Sequence, residues 1–239
     1  MAGLPQQVNW KAITVEGTAI VVSILLAFSI DAWWEQRGEQ AAAKSLIDGL
    51  HADFAVSHAH LQEWSGGARI IHDDTFTMLN LIRSAEPGAT VQVPFDVIVG
   101  VIGAATYDPT VATFETALAS GQLDLVDSLE LRNLLAVWQQ QLVDTAEDEA
   151  LVRNIVVNHL VPELSAQIRL GAAFDFDTLL GRFLNRPSTA PGRMIEVTVT
   201  TELEGLLAQR LFYSTFIIQG HQLILGTQKE ILALLETMQ

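Results

Sequence analysis

The chain has 239 residues, no cysteine and a formal net charge of −15, from 28 Asp and Glu against 13 Lys and Arg. Such an acidic surface repels phosphates, which excludes nucleic acid as a partner and argues against electrostatic binding to anionic lipid headgroups. The absence of cysteine excludes a disulfide, a thiolate nucleophile and a zinc site with cysteine ligands. With 49% hydrophobic residues, the chain can supply the core of one domain, to which we expect an appendage to be attached.

The first predicted element is a transmembrane helix over residues 12–34, after a short tail of residues 1–11. A helix of this length extends about 34 Å, enough to cross a hydrocarbon core of roughly 30 Å. Its centre, residues 17–30, carries no charge. Indole rings prefer the two membrane interfaces, and tryptophans flank this segment about one bilayer apart. The predicted interface anchors are Trp10, Trp33 and Trp34.

Two alternatives to a permanent anchor exist. The uncharged centre is short enough for a buried core helix or for the apolar region of a cleavable signal peptide, with "AFS" as a processing site. A signal peptide usually begins with several positive charges, whereas here only Lys11 and the terminal amine precede the apolar run. We therefore expect a retained anchor.

The numbers of positive charges on the two sides of this anchor are nearly equal, so the positive-inside rule hardly favours either orientation. Lys11 and the terminal amine stand on one side, and Arg37 and Lys44 on the other. A short tail followed by an uncleaved span and an acidic domain is the usual layout of a signal anchor. We expect the tail in the cytoplasm and the domain in the periplasm, at a bacterial inner membrane.

One face of the predicted span carries small or polar residues. Helical projection places five of them together or at the edge of that face: Glu16, Ala19, Ser23, Ala27 and Asp31. The three small residues make two consecutive small-xxx-small steps, which let a second helix approach closely in lipid. The alternative is that such residues are simply common in these helices and that both acids reach the headgroups. We predict a helical partner along this stripe.

Residues 35–239 predict a helical bundle. The seam Ile47, Leu50, Phe54, Leu61 and Trp64 follows the 3–4 spacing of one buried helix face, and Gly66 with Gly67 is expected to end that helix. The predicted fold class is therefore all-α, with the N-terminal transmembrane helix continuing into an antiparallel helical bundle. Strands are expected at "TVQV" and "IEVTVTT" at most.

Cap signals place further helix ends. Asp108 is a predicted N-cap with Pro109 at the first helical position, and Gly121 is a predicted left-handed C-cap. Asp127, with a glutamate three residues later, predicts the start of a long helix that runs to about Leu160 before a proline.

The last predicted helix opens at Thr201 with Glu204 and runs almost to residue 239. Within it, residues 211–228 contain no Lys, Arg, Asp or Glu, which leaves open a second span. Its centre, "QGHQ", is costly in lipid, so we favour a helix buried in the bundle.

A family resemblance rests on two stretches. The span ends in a D-x-W-x-E-x-R edge, formed by Asp31, Trp33, Glu35 and Arg37, and "PTVATFETALASGQLDLVDSLELRNLL" follows later. Together they resemble an uncharacterised bacterial family of single-pass membrane proteins, classed as a domain of unknown function. The matching residues are Pro109, Phe114, Glu115, Leu118, Gly121, Asp127, Ser128, Leu131 and Arg132, with the Leu-Arg pair one residue later than in the family. The resemblance spans roughly the first two thirds of the chain, which lacks the family's basic N-terminal segment. It implies an anchored helical domain without an established activity.

The sequence shows no pattern typical of catalysis. His58 and His60 point to different helix faces, and His51 lies two turns from His58, about 10 Å away, so these three do not chelate one ion. The "HDD" of residues 72–74 and the acids of residues 147–149 are interpreted as solvated surface, and Glu149 with Arg153 as an exposed i,i+4 pair. We predict no catalytic residue, no metal, no cofactor and no enzymatic activity.

The sequence thus predicts a single-pass membrane-anchored structural or accessory subunit that braces a larger assembly, for which a respiratory or photosynthetic complex is a suitable host. The expected partners are membrane lipid and the transmembrane helices of a hetero- or homo-oligomer. The alternative is an extracytoplasmic sensory or ligand-binding helical domain.

Overall fold

The computed structural model describes the backbone of residues 10–104, 106–171 and 173–239; the side chains of residues 10–17, 19, 20 and 176 lie outside this description. The described chain is mostly helical, which confirms the predicted all-α class. Its elements are α1 (Trp10–Arg83), β1 (Thr90–Pro94), α2 (Phe95–Ile102), α3 (Ala112–Ser120), a 3₁₀ turn (Gln122–Leu125), α4 (Leu129–Ile155), a π-helical turn (Val156–Leu160), α5 (Val161–Ser165), α6 (Phe176–Phe183), β2 (Met194–Thr198) and α7 (Thr201–Met238).

Helix α1 runs for 74 residues without a break, a length of about 110 Å. The predicted stop at Gly66 and Gly67 is therefore wrong. A Cβ at position 67 would lie 2.5 Å from the ring of Phe183, so this glycine allows an aromatic ring from α6 to pack directly on the α1 backbone. Gly67 thus allows close packing inside a helix, because tertiary contacts outweigh the weak helix propensity of glycine.

Within the described residues, the long helices α1, α4 and α7 form a bundle. Helix α7 runs antiparallel to α1: Arg83 Nε donates to Glu204 Oε1 at 2.9 Å near one end, and Lys44 Nζ donates to the Gln239 carbonyl at 3.4 Å near the other. The predicted helical bundle is confirmed. Residues of α1 before Lys44 extend past the C-terminal end of α7, so the apolar segment projects from the bundle.

The buried face of α7 repeats with alternating spacings of four and three residues, as in a coiled coil. The repeat consists of Leu203, Leu207, Arg210, Ser214, Ile217, His221, Ile224, Gln228, Ile231 and Leu235. Its two ends are apolar and its middle is largely polar. Residues 211–228 therefore turn one face into the bundle interior.

Buried apolar side chains of the described chain form two clusters. One cluster lies beside the projecting end of α1, where Trp138 contacts Phe54 and Phe114 with ring centroids 4.9 and 5.4 Å apart. The other joins α2, the end of α4, the start of α7 and both strands. The polar middle of α7 lies between these clusters.

The two predicted strands are confirmed as an antiparallel pair. Val93 stands opposite Ile195, and Val91 opposite Val197. Val93 and Val197 are fully buried, so the ribbon adds to the second cluster.

Helix α3 begins later than predicted. Its first residue is Ala112, so Asp108 is not its N-cap, and the Thr113 amide donates instead to Asp53 Oδ2 at 2.7 Å. A carboxylate of α1 thus satisfies an amide at the start of α3. Gly121 has φ 73° and ends α3 in the left-handed conformation, as predicted.

The caps of α4 and α7 also lie one residue from their predicted positions. Ser128 Oγ accepts from the Leu131 amide at 3.2 Å and opens α4, in place of Asp127. Thr200 Oγ1 accepts from the Leu203 amide at 3.0 Å and opens α7. Regular α4 ends at Ile155, and a π-helical turn continues from it to the Pro162 region, where proline lacks an amide donor.

Among the described residues, no helix meets the length and hydropathy that crossing a membrane requires. Of the predicted span, residues 12–34, the side chains of residues 12–17, 19 and 20 lie outside the description, as do residues 1–9 of the predicted tail.

Candidate functional site

A buried polar layer separates the two apolar clusters. Three of its ionisable members come from two helices: Glu149 on α4 is 4% exposed, and His221 and Arg210 on α7 are 1% and 0% exposed. Tyr107, before α3, and Gln228 complete the layer. Buried ionisable groups are costly unless they have partners, so the contacts of each group decide what the layer can do.

Glu149 is held by backbone and side-chain donors. The Tyr107 amide donates to both of its carboxylate oxygens at 3.1 and 3.2 Å, and His221 Nε2 lies 3.4 Å from Oε1. The Tyr107 hydroxyl donates to the Ser57 carbonyl at 3.0 Å, and burial raises the pKa of that hydroxyl. The expected solvated face at residue 149 and its exposed pair with Arg153 are therefore wrong, because the bundle interior encloses Glu149.

Arg210 has no exposed surface, and its hydrogen bonding is incomplete. Its Nε donates to Thr75 Oγ1 at 3.0 Å, and its Nη2 donates to the carbonyls of Gly103 at 2.7 Å and Gly100 at 3.4 Å. Burial lowers its pKa to about 9, an effect that the charge of Asp74 partly offsets, so the guanidinium is charged at neutral pH. Its Nη1 has no hydrogen-bond partner among the described residues.

The buried Asp74 pairs with the partly exposed Arg182 beside Arg210. Arg182 Nε donates to Asp74 Oδ2 at 2.7 Å, and Nη2 donates to Oδ1. Burial raises the pKa of the Asp74 carboxyl, although Arg182 opposes this change. Gly100 on α2 makes room for the carboxylate, since a Cβ there would overlap it.

The "HDD" stretch therefore has two different faces. Asp74 points inward to Arg182, whereas Asp73 is 79% exposed and contacts His72. In the described part of the chain, no three His, Asp or Glu side chains come together as a metal site would require.

A large pocket of about 350 Å³ lies beside the polar layer. Its walls are mostly aromatic and aliphatic and come from α1, α2, α6 and the π-helical turn. They are formed by Trp64, Ile71, Val99, Gly100, Ile102, Gly103, Ala104, Val157, Leu179, Leu180, Arg182 and Phe183.

A small pocket of about 30 Å³ adjoins the large one. The two pockets have five lining residues in common: Trp64, Ile71, Gly103, Ala104 and Phe183. Arg210, Ser214 and His221 line only the small pocket. His221 Nδ1, like Arg210 Nη1, has no hydrogen-bond partner in the described structure. Two buried polar nitrogens without partners thus meet at one small cavity next to an apolar one.

The site residues predicted from the sequence lie elsewhere, on the projecting part of α1. Ser23, Ala27 and Asp31 are exposed there, whereas the side chains of Glu16 and Ala19 lie outside the description. Trp33 and Trp34 are exposed and contact each other edge to face, while the Trp10 side chain also lies outside the description.

Large apolar side chains surround that stripe. Seven of them are each between 48% and 67% exposed: Val21, Val22, Ile24, Leu25, Leu26, Phe28 and Ile30. A contiguous apolar surface of this kind marks an interaction site.

The polar layer was missed at the sequence level, although its spacing is visible in the sequence. The inward 3–4 repeat of α4 passes through Leu131, Leu135 and Trp138, and its continuation reaches Glu149. On α7, the polar stretch "QGHQ" interrupts the largely apolar run of residues 211–228. Arg210 directly precedes that run.

Comparison of the chain with family models, curated proteins and solved structures found no match. The resemblance to a family of single-pass membrane proteins therefore stays a prediction from the residues quoted for it.

Proposed function

We propose that this protein is a single-pass membrane-anchored structural or accessory subunit. Its α1 segment enters the membrane, and its acidic helical domain braces a larger membrane assembly near the headgroups. The setting we propose is a bacterial inner membrane with the domain in the periplasm. Membrane lipid and the transmembrane helices of other subunits, or of further copies of the chain, are the proposed partners.

The observation that carries this proposal is the exposed apolar run of α1, residues 21–30. A helix of a water-soluble domain buries one apolar stripe and exposes a polar face. Here, at roughly 100° per residue, the large apolar side chains point to most of the helix circumference, and Val22 and Leu26 face away from Ile24 and Phe28. A single protein groove covers one face of a helix, whereas lipid covers all of them, which favours lipid as the surrounding medium.

The remaining sector of the helix supports a helical partner. Among described residues 21–31, it contains Ser23, Ala27 and Asp31. Small side chains permit close backbone contact between helices in lipid, and a partner would shield the carboxylate from acyl chains. The exposed indoles of Trp33 and Trp34 suit the membrane interface, with Arg37 stacked over Trp33 at 4.6 Å.

The stripe can be tested by adding volume to it. We expect Ser23→Leu with Ala27→Leu to separate the full chain from its assembly, because leucine keeps the two backbones apart. Native mass spectrometry after extraction in mild detergent should show a complex above the 26.1 kDa chain mass for the unchanged protein, and largely free chain for the variant.

The matched control is Val21→Leu with Val22→Leu, which enlarges the lipid-facing side of the same turns and should leave the complex intact. A complex of unchanged mass in the stripe variant, or a free monomer in the unchanged protein, would contradict the proposed accessory role.

A second function, an extracytoplasmic sensory or ligand-binding helical domain, is favoured by one specific observation. The large pocket is apolar, and buried Arg210 and His221 meet beside it without complete hydrogen bonding. An apolar cavity with a few convergent polar groups is the usual form of a small-molecule site.

A further inference from the structure

We propose that the large and small pockets form one binding site for a monocarboxylate with an apolar body of up to about a dozen non-hydrogen atoms. The carboxylate would contact Arg210 and His221, and the apolar body would fill the large pocket. This proposal specifies the ligand of the second function above. It does not depend on the membrane anchor, because all the lining residues lie at or beyond Trp64.

The charge of Arg210 selects an anion. Among the described residues, Arg210 forms no ion pair, since Asp74 binds Arg182 and Glu149 binds Tyr107 and His221. Its Nη1 can only donate, and a buried cation gains most from a carboxylate in direct contact. Neutral acceptors already occupy Nε and Nη2, so the open nitrogen is the position for an anionic oxygen.

His221 offers the second contact to the same carboxylate. Glu149 lies against its Nε2, whereas its Nδ1 has no partner in the described structure, and the side chain lines the small pocket. A protonated imidazole donates from both nitrogens, so it can bridge Glu149 and a ligand carboxylate.

The large pocket sets the size and chemistry of the ligand body. A water-sized group occupies about 30 Å³ of liquid volume, so a pocket of about 350 Å³ holds about a dozen such groups. Trp64 and Phe183 contact each other, with ring centroids 4.4 Å apart and ring planes inclined by 57°, and supply an aromatic wall, with Ile102 and Leu179 among the aliphatic lining residues. An aromatic or aliphatic body fits these walls.

Water in the small pocket is the main alternative. A cavity of about 30 Å³ holds one or two waters, which could complete the bonding of Arg210 Nη1 and His221 Nδ1. Water does not neutralise a buried guanidinium, and it makes no favourable contact with the apolar walls of the large pocket. The two alternatives make different predictions for binding of an organic acid.

The test is titration calorimetry on the full chain in phosphatidylcholine nanodiscs, with empty nanodiscs as the blank. The probe is 4-phenylbutyrate, and its neutral isostere 4-phenylbutyramide and the bare head group acetate are the matched controls. We expect 4-phenylbutyrate to bind with a Kd below about 1 mM and the amide at least tenfold more weakly, because the amide lacks the charge-assisted bonds. Acetate should bind more weakly still, because it leaves the large pocket empty.

Two variants locate the site. Arg210→Met should weaken 4-phenylbutyrate binding at least tenfold and remove the preference for the acid over the amide. Val157→Trp, at a lining residue that is 56% exposed, should block the large pocket without disturbing the core. This variant therefore tests the location of the site even if Arg210→Met does not fold. Val137→Trp, at an exposed residue of α4 that lines neither pocket, should leave binding unchanged.

Absence of 4-phenylbutyrate binding would overturn the proposal and favour water in the small pocket. Equal binding of acid and amide would overturn the role of Arg210, and binding unaffected by Val157→Trp would overturn the location. Each of these results leaves the membrane anchor untouched, because the anchor is tested by assembly mass instead.

Discussion

Arg210 shows how the bundle keeps a charge in its interior. Burial lowers its pKa from the ordinary arginine range to about 9, which shows that the interior disfavours the charged form. Its three hydrogen bonds go to neutral acceptors, Thr75 Oγ1 and the carbonyls of Gly100 and Gly103, which offset only part of that cost. A residue that costs stability in the empty protein is consistent with a role in binding.

We therefore expect Arg210→Met to be at least as stable as the unchanged chain at pH 7, because the variant no longer buries a guanidinium without a carboxylate partner. The folded state holds the Arg210 proton less tightly than the unfolded state. As pH rises above about 9, the unfolded chain thus binds more protons than the folded chain, and the unchanged protein gains stability relative to the variant. Between pH 9 and pH 10 this relative gain should be about 1 kcal/mol.

The measurement is urea unfolding of both proteins at pH 7, 9 and 10. The raised pKa of Tyr107 affects both proteins alike and cancels in the comparison. Arg153→Met, at an exposed position of α4, is the control and should change stability by less than about 0.5 kcal/mol at every pH. A stability difference that does not vary with pH would refute this account of Arg210.

At this scale, the sequence contains part of the site. Glu149 continues the inward repeat of α4, so its burial could be predicted from the spacing alone. Its hydrogen-bond partners could not be predicted, because the Tyr107 amide belongs to a loop whose position depends on how α3 docks on α1. The open nitrogens of Arg210 and His221 likewise depend on the packing of α2 and α6 beside α7.

At the level of elements, neighbouring glycines in α1 illustrate the limits of local signals. Gly66 is exposed with no atom within 4 Å of a Cβ built on it, whereas a Cβ at Gly67 would meet the Phe183 ring. From sequence the two residues are equivalent helix breakers. Only tertiary packing distinguishes them, just as only packing provides Asp53 as the partner of the Thr113 amide in α3.

These glycines form a matched pair for mutation. Gly66→Ala should stabilise the protein by about 0.5–1 kcal/mol, because alanine favours the helix at no steric cost. Gly67→Ala should destabilise it by about 1–3 kcal/mol, because the methyl group overpacks against Phe183.

Thermal and urea unfolding measure both effects. Gly67→Ala should destabilise a Phe183→Ala protein less than it destabilises the unchanged protein, because the clashing ring is gone. Equal effects of Gly66→Ala and Gly67→Ala would show that the ring of Phe183 does not pack on α1 in this way.

At the level of the whole molecule, α1 joins the proposed functional regions in one continuous helix. The exposed apolar run begins at Val21, and Trp64 lines both pockets, about 65 Å further along the same axis. The helical class and the bundle could be predicted because the 3–4 apolar spacing extends over whole helices. The two-cluster core with a polar layer could not, since it arises from the register between α1, α4 and α7.

The proposed membrane anchor requires that lipid surrounds the exposed run of α1. The chain has no cysteine, so Leu25→Cys in the full protein accepts a single nitroxide spin label in the middle of that run, and Val137→Cys on α4 accepts one on the exposed bundle surface. In phosphatidylcholine nanodiscs, the label at residue 25 should be relaxed more strongly by oxygen, which concentrates in acyl chains, than by a water-soluble nickel chelate. The label at residue 137 should show the reverse order. A label at residue 25 that is as accessible to the nickel chelate as the one at residue 137 would contradict the membrane anchor.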